Sequence, residues 1–158
     1  MKNTFKRSGA ALISLVLLLV LAVSAGAANS QNVGVKFWKE RSDKESMANS
    51  GIDPDRTATL TRQTNGTYTL TLPVMQVSKL GVTGYLSGLT IGDVTYDGTL
   101  TGDFNKATAV LTIKNLPASV LTGSDVNKSV LVTCNIQMDL QVLGEINTSA
   151  RMCIWNQK

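Results

Sequence analysis

Apolar and polar residues alternate over short stretches of this chain. The first such stretch places Val33, Val35 and Phe37 on one side and Trp38 on the other. A period of two is typical of a β-strand with one buried face, and Gly, Asn, Asp and Ser recur between the stretches, as turns require. The pattern predicts an all-β fold, a β-sandwich of about eight antiparallel strands.

A hairpin is the most specific local prediction. Asn65-Gly66 lies between the alternating segments 58–62 and 67–74, and Asn-Gly is a strong signal for a tight hairpin turn. The polar stretch 39–55 is predicted to be a loop that contains one short helical turn near 45–49. The other segments predicted as strands are 33–38, 75–80, 82–86, 89–96, 107–114, 129–142 and 146–155.

The segment 129–142 has the clearest alternation. Its odd positions from Thr133 onward are polar and include Asn135. Side chains alternate across a strand, so one face is expected to be buried and the other wet. The residues expected on the buried face are Val130, Val132, Cys134, Ile136, Met138, Leu140 and Val142.

The two cysteines leave two alternatives open. Export would permit a disulfide, and the strand at 146–155 follows the strand of Cys134 as a hairpin partner. However, the apolar positions of the second strand are Ile146, Ala150, Met152 and Ile154, which puts Cys153 on the opposite face from Cys134. A β-bulge would allow the bridge; without one, both thiols are expected to be free.

The N-terminal segment has the parts of a secretory signal. Three basic residues precede an apolar run of 14 residues at 10–23, and Ala25 and Ala27 then give the small-x-small spacing of a cleavage site. An uncleaved anchor is the alternative, but the run is shorter than the ~20 residues that a spanning helix needs. The protein is therefore expected to be secreted, either released or associated with the cell surface. The predicted organisation is a signal peptide at 1–27 with cleavage near 27/28, a disordered lead-in at 28–32, and one domain at 33–156 with no membrane span.

Charge and composition remove several classes of function. The formal net charge is +4, and three of those charges lie in the signal segment, so a basic surface for nucleic acid is not expected. The chain contains no histidine, which excludes histidine-based catalytic triads and histidine ligands to zinc or haem. No pair of carboxylates stands out as catalytic, and the chain is not predicted to be an enzyme.

The segment VKFWKERSDKESMANSGI (35–52) resembles the opening of a NEAT domain, the haem-binding module of Gram-positive surface proteins. In that family a Ser-Met-type pair, here Ser46-Met47, forms a lip over the distal face of haem. The turn at Asn65-Gly66, the stretch LGVTGYL (80–86) and the closing hairpin from Cys134 to Trp155 are also similar to that family. The resemblance implies an immunoglobulin-like β-sandwich.

The chain departs from the family at the iron ligand. Haem-binding members carry Tyr-x-x-x-Tyr on the penultimate strand, and Met138 and Val142 stand at the matching positions here. A Met thioether is an accepted axial ligand of haem iron, so the resemblance implies ligation by Met138 and Met47. The alternative is that haem binding is lost and Met138 fills the core. The residues implied to contact haem are Ser46, Met47, Ile136, Met138, Leu140 and Val142, with Ser46 donating to a propionate.

Two functional hypotheses remain. The first is a secreted or surface haem-binding or haem-relay module, whose partners are haem, a haemoprotein or a surface haem-relay protein. The second is a non-haem, immunoglobulin-like interaction module that binds protein or glycan. The second predicts exposed aromatic side chains, with Trp38 as the candidate.

Overall fold

A computed structural model describes residues 29–79, 81–139 and 144–158. The predicted signal peptide at 1–27 lies outside the described residues, and its cleavage stays a prediction. In the part of the chain that is described, no helix has the length and apolar character needed to cross a membrane.

The described residues form an all-β fold, as the alternation predicts. Every strand pairing is antiparallel. The nine strands are β1 (Ser30–Lys39), β2 (Ala58–Arg62), β3 (Tyr68–Pro73), β4 (Val77–Lys79), β5 (Val82–Ile91), β6 (Val94–Thr101), β7 (Val110–Leu116), β8 (Val130–Met138) and β9 (Glu145–Asn156).

The nine strands are hydrogen-bonded into one continuous sheet. Its order is β4-β5-β6-β7-β3-β2-β1-β9-β8, and β8 pairs a second time with β5. Through this second pairing, eight strands close into a ring: β1, β2, β3, β5, β6, β7, β8 and β9. The short β4 adds to the first residues of β5, outside the ring. Closure protects strand edges, which are otherwise sites of unwanted pairing.

The loop after β1 contains the predicted helical turn. A 3-10 helix, here called the lip turn, spans Met47–Gly51, two residues later than predicted. Three further 3-10 turns, at Phe104–Lys106, Ala118–Val120 and Val126–Lys128, were not predicted. Asp103 and Asp125 cap two of them by accepting the amide of the second residue following, a bond that short polar side chains favour.

Several predicted boundaries differ from the structure, and three of the differences change how the chain is divided into strands. Residues 30–32, predicted as part of a disordered lead-in, belong to β1 and pair with β2. The predicted strand at 89–96 contains a turn, where Gly92 has φ of 59° and joins β5 to β6. The predicted break between 82–86 and 89–96 is instead a bulge between Leu86 and Gly88 inside one continuous strand.

The interior of the closed sheet is filled by aliphatic side chains. β1 contributes Val33 and Phe37, β3 contributes Leu70 and Leu72, and all four are at most 1% exposed. Along β8 the expected buried face holds for Val132 and Cys134. Further along the same face Ile136 and Met138 are only half-buried, so the core ends before them.

Asn135 corrects the prediction that the other face of β8 is wet. Asn135 is buried, with 3% of its surface exposed. The Thr90 hydroxyl donates to Asn135 Oδ1 at 3.3 Å, and the Ser87 hydroxyl donates to the Asn135 carbonyl at 3.0 Å. Ser87 is the extra residue of the β5 bulge, so Asn135 contacts a feature of the neighbouring strand that alternation along β8 does not reveal.

Both cysteines are free and buried. Cys134 pairs with Thr148 on the interior face, whereas Cys153 lies opposite Lys36 on the outer face and its thiol donates to the Asp125 carbonyl at 3.6 Å. The β8–β9 register runs without a bulge, so the two side chains stay on opposite faces. Of the two alternatives, the structure has two thiols and no disulfide.

We expect neither thiol to react in the native protein. Burial raises the pKa of the Cys134 thiol to about 12, so the reactive thiolate is scarce at neutral pH. Cys153 is fully buried under the turn that carries Asp125. Mass spectrometry after iodoacetamide treatment should show no addition to the folded protein and two additions after unfolding. A chain that stays unmodified after unfolding without reductant would contradict this, because it would contain a disulfide.

Candidate functional site

An apolar cavity of about 250 Å³ lies between the lip turn and the end of the sheet where β8 and β9 meet. The lip turn contributes Met47, Ala48 and Gly51. The facing wall comes from β8 and β9, which contribute Ile136, Met138, Ile146 and Thr148. The remaining wall comes from β4 and β5, through Val77, Val82, Gly84, Tyr85 and Leu86.

The strand register arranges most of this wall in rows. Val77 of β4 is opposite Gly84 of β5, which is in turn opposite Met138 of β8. In the next row Leu86 is opposite Ile136, which is opposite Ile146. Residues directly opposite each other share one face of a sheet, so these six side-chain positions form a continuous apolar surface.

The cavity opens to solvent on the side of Met47 and Ile146. Met47 is 57% exposed and Ile146 is 44% exposed, although both line the cavity. The exposure of Ile146 corrects the expectation that it lies on a buried face. Among the lining residues that the structure describes none carries a charge, and the one ionisable side chain, Tyr85, packs its ring against Phe104 at 5.2 Å.

The lip turn is fixed to the core strand β1. The side-chain amide of Asn49 donates to the Phe37 carbonyl at 2.7 Å, and Asn49 Oδ1 accepts the Phe37 amide at 2.8 Å. Ser46 caps the turn, since its hydroxyl oxygen accepts the Ala48 amide at 3.3 Å and its own amide donates to the Phe37 carbonyl at 3.0 Å. The turn is therefore attached at a residue whose side chain is fully buried.

The segment after the lip turn is fixed by a buried carboxylate. Asp53 accepts the Asp55 amide at 3.0 Å and the Arg56 Nε at 2.8 Å, and Arg56 also donates to the Ala109 carbonyl. The Asp55 amide, followed by the Arg56 guanidinium, lowers the pKa of Asp53. The Asp53 amide donates to the Pro73 carbonyl at 3.1 Å, so the chain is attached to the sheet both before and after the lip turn.

Three of the predicted contact residues come together at the cavity. Met47, Ile136 and Met138 line it, although Met47 lies far from the other two in the sequence. Ser46 contributes by capping the lip turn. Leu140 and Val142 lie outside the described residues, so their proposed contacts stay predictions.

Most of the lining residues were not anticipated as parts of the site, and two unanticipated residues bear directly on its geometry. Gly84 lines the wall beside Met138, and Asn49 holds the lip turn in place. A glycine inside a strand often marks a close backbone approach, which is a signal that could have pointed to Gly84. The polar loop around Asn49 offers no comparable signal, because Asn is common in loops for many reasons.

Trp38 is less exposed than the non-haem hypothesis predicts. It is half-buried, and Lys36 Nζ lies 4.6 Å from the centre of its ring. Lys36 is in turn held by an ion pair of 2.5 Å with Glu45. Trp38 is thus partly covered by its own strand neighbour and does not offer an open aromatic surface.

The donor atoms at the cavity are soft. Met47 and Met138 bring thioether sulfurs, which suit transition metals in apolar surroundings. Over the described ranges no three His, Cys, Asp or Glu side chains cluster in a way that could hold a metal ion. The lining of the cavity is therefore suited to an apolar ligand.

Comparison with known proteins finds solved structures of similar fold at low sequence identity. No family model and no curated protein matches the chain. The structure of the NEAT5 domain of IsdX2, a B. anthracis hemophore, in complex with haem aligns with a TM-score of 0.53 at 10% identity, covering 83% of this chain and 98% of that chain. A mutant of IsdX2 NEAT5 in complex with haem gives the same TM-score and identity and covers 84% and 99%. The chain therefore has the fold of a NEAT domain.

Proposed function

We propose that this protein is a secreted or surface-associated haem-binding module of a Gram-positive bacterium, with haem held in the cavity beneath the lip turn. The observation that carries the proposal is the meeting of Met47 and Met138 at one apolar cavity. The two NEAT5 structures with the same fold are complexes with haem, which supports the same ligand class here.

The shape and polarity of the cavity suit part of a haem. Ligand pockets usually enclose ~300–1,000 Å³, so a cavity of about 250 Å³ with an open side would cover the apolar part of a macrocycle. The propionates would then remain at the mouth in water, since no described lining residue carries a compensating charge. Ser46 directly precedes Met47 in the sequence, and its hydroxyl is the proposed donor to one propionate.

The thioethers would hold the iron. Met138 stands where the family carries its ligating Tyr, and a thioether favours the ferrous state more than a phenolate does. Met47, on the lip turn, would supply the second thioether. An open mouth also gives haem a route to a haemoprotein or a surface relay protein, which are the proposed exchange partners.

A haemin titration of the purified protein tests the proposal. We expect the Soret band of haemin to shift and sharpen with saturation at one haem per chain, and protein purified from haem-supplemented culture to be red. A spectrum equal to that of free haemin at every ratio would contradict haem binding. A colourless protein captured by host or cell-wall material would instead favour the non-haem interaction module.

A further inference from the structure

Gly84 of β5 lies directly opposite Met138 of β8 at the cavity wall, and as a glycine it presents no side chain there. A Cβ atom at Gly84 would lie 2.8 Å from Met138 Sδ, 3.0 Å from the Gln137 carbonyl and 3.3 Å from Ile136 Cγ2. Real Cβ atoms essentially never approach another heavy atom closer than 3.0 Å. The Met138 thioether therefore lies across the Gly84 backbone, in space that any other residue would occupy.

The close approach of Met138 to Gly84 bears on how far the Met138 sulfur extends into the cavity. Gly84 and Met138 are directly opposite in the β5–β8 register, and both line the cavity. Cβ atoms of opposite residues normally stand about 4.5–5.5 Å apart and keep the two side chains upright. Without a Cβ at Gly84, the Met138 side chain can lie flat on β5, which keeps the sulfur at the wall and the space above it open.

We propose that Gly84 is a positioning residue that sets where the Met138 sulfur lies, and thereby the ligand sphere of the iron. This inference rests on the proposed function for its effect on haem, but the position of the sulfur is a property of the haem-free protein. A methyl group at residue 84 would push the thioether into the cavity, because the backbone of β5 and β8 is fixed by their pairing.

Gly51 provides a matched control. It lines the same cavity, and a Cβ built there would be no closer than 3.9 Å to the Met75 carbonyl and to Val77 Cγ2. Gly51→Ala thus adds the same methyl group to the same cavity in ordinary contact. Any effect of Gly84→Ala that Gly51→Ala lacks is due to the local clash and not to the lost volume.

The first test needs no haem. Methionine methyl groups are labelled with ¹³C in the purified protein, and the Met138 signal is assigned as the one missing in Met138→Ala. We expect Gly84→Ala to shift the Met138 methyl resonance and Gly51→Ala to leave it in place. A Met138 resonance that stays unmoved in Gly84→Ala, or moves equally in Gly51→Ala, would overturn the inference.

The second test follows haem. We expect Gly84→Ala to bind haem about tenfold more weakly than the wild type and to alter the reduction potential of the iron, since residues that orient a metal ligand typically change affinity by about 10–100-fold. In a Met138→Ala background, adding Gly84→Ala should cause no further loss. Equal losses in both backgrounds would show that Gly84 acts independently of the Met138 sulfur and would overturn the inference. If the wild type binds no haem, the proposed function fails while the methyl resonances still decide the role of Gly84.

Combining Gly84→Ala with Met138→Ala also distinguishes a folding defect from an effect on the position of the sulfur. If Gly84→Ala alone does not fold, the double variant Gly84→Ala/Met138→Ala should fold, because the closest contact is gone. A double variant that also fails to fold would place the conflict at the β8 backbone and would contradict a role through the sulfur.

Discussion

Replacing Met138 with alanine is expected to weaken haem binding by at least about tenfold, or about 1.4 kcal/mol, and to remove the spectral signature of thioether ligation. Met138 is half-buried on the cavity wall, and alanine removes the sulfur while leaving the strand pairing intact. Loss of a thioether should also lower the reduction potential of the iron, because thioether ligands favour the ferrous state. Absorption spectra of the ferric and ferrous forms, with a redox titration, measure both effects.

Two further variants accompany Met138→Ala: Met47→Ala tests the second proposed ligand, and Met75→Ala is the control. Met47→Ala is expected to change the spectrum in the same direction, because Met47 lines the cavity from the lip turn. Met75 is 37% exposed and lies next to the lip turn, where its amide donates to the Gly51 carbonyl at 2.9 Å. Because Met75 is not among the residues that line the cavity, Met75→Ala should leave the spectrum unchanged. Spectra of Met47→Ala and Met138→Ala that both equal the wild-type spectrum would contradict methionine ligation.

Replacing Asn49 with alanine is expected to destabilise the protein by about 2–3 kcal/mol. The change removes two hydrogen bonds of 2.7 and 2.8 Å to Phe37 and leaves the Phe37 amide without its acceptor. Because Asn49 joins the lip turn to β1, we also expect haem affinity to fall. Urea unfolding measures the free energy of unfolding, and a haemin titration measures the affinity.

Ser50→Ala is the control for Asn49. Ser50 lies in the same lip turn and is exposed, so its replacement should change the free energy of unfolding by less than about 0.5 kcal/mol. Asn49→Asp keeps the acceptor for the Phe37 amide and removes the donor, and should lie between Ser50→Ala and Asn49→Ala. An Asn49→Ala variant as stable as Ser50→Ala would show that the lip turn does not depend on these bonds.

The elements that sequence reasoning anticipated are those with local signals. Alternation revealed β1 and β8, and Asn65-Gly66 marks the turn where Gly66 has φ of 83° between β2 and β3. Met47 drew attention because an apolar side chain in a polar loop has no periodic reason to be there. Met138 entered through the family resemblance, and the structure places it at the cavity with Met47.

The features that were missed depend on contacts between distant segments. The ring closes through β5 and β8, whose paired residues, such as Gly84 and Met138, are far apart in the sequence, so no local pattern reveals it. The bulge at Ser87 was misread as a break between strands, because an extra residue shifts the phase of alternation just as a turn does. The buried Asn135, whose backbone carbonyl accepts from the bulged Ser87, was also missed. Tertiary pairing thus decided the points where local patterns were ambiguous.

The central claim is that haem binds in the cavity beneath the lip turn. It is tested most directly by haemin titrations of the wild type and of Ile136→Asp, with the melting temperature of each recorded. Ile136 lies in the middle of the apolar wall between Leu86 and Ile146, and a carboxylate there would have to be desolvated against the macrocycle. We expect one haem per wild-type chain and no Soret shift in a folded Ile136→Asp variant. Equal binding by both proteins, or binding by neither, would contradict the claim.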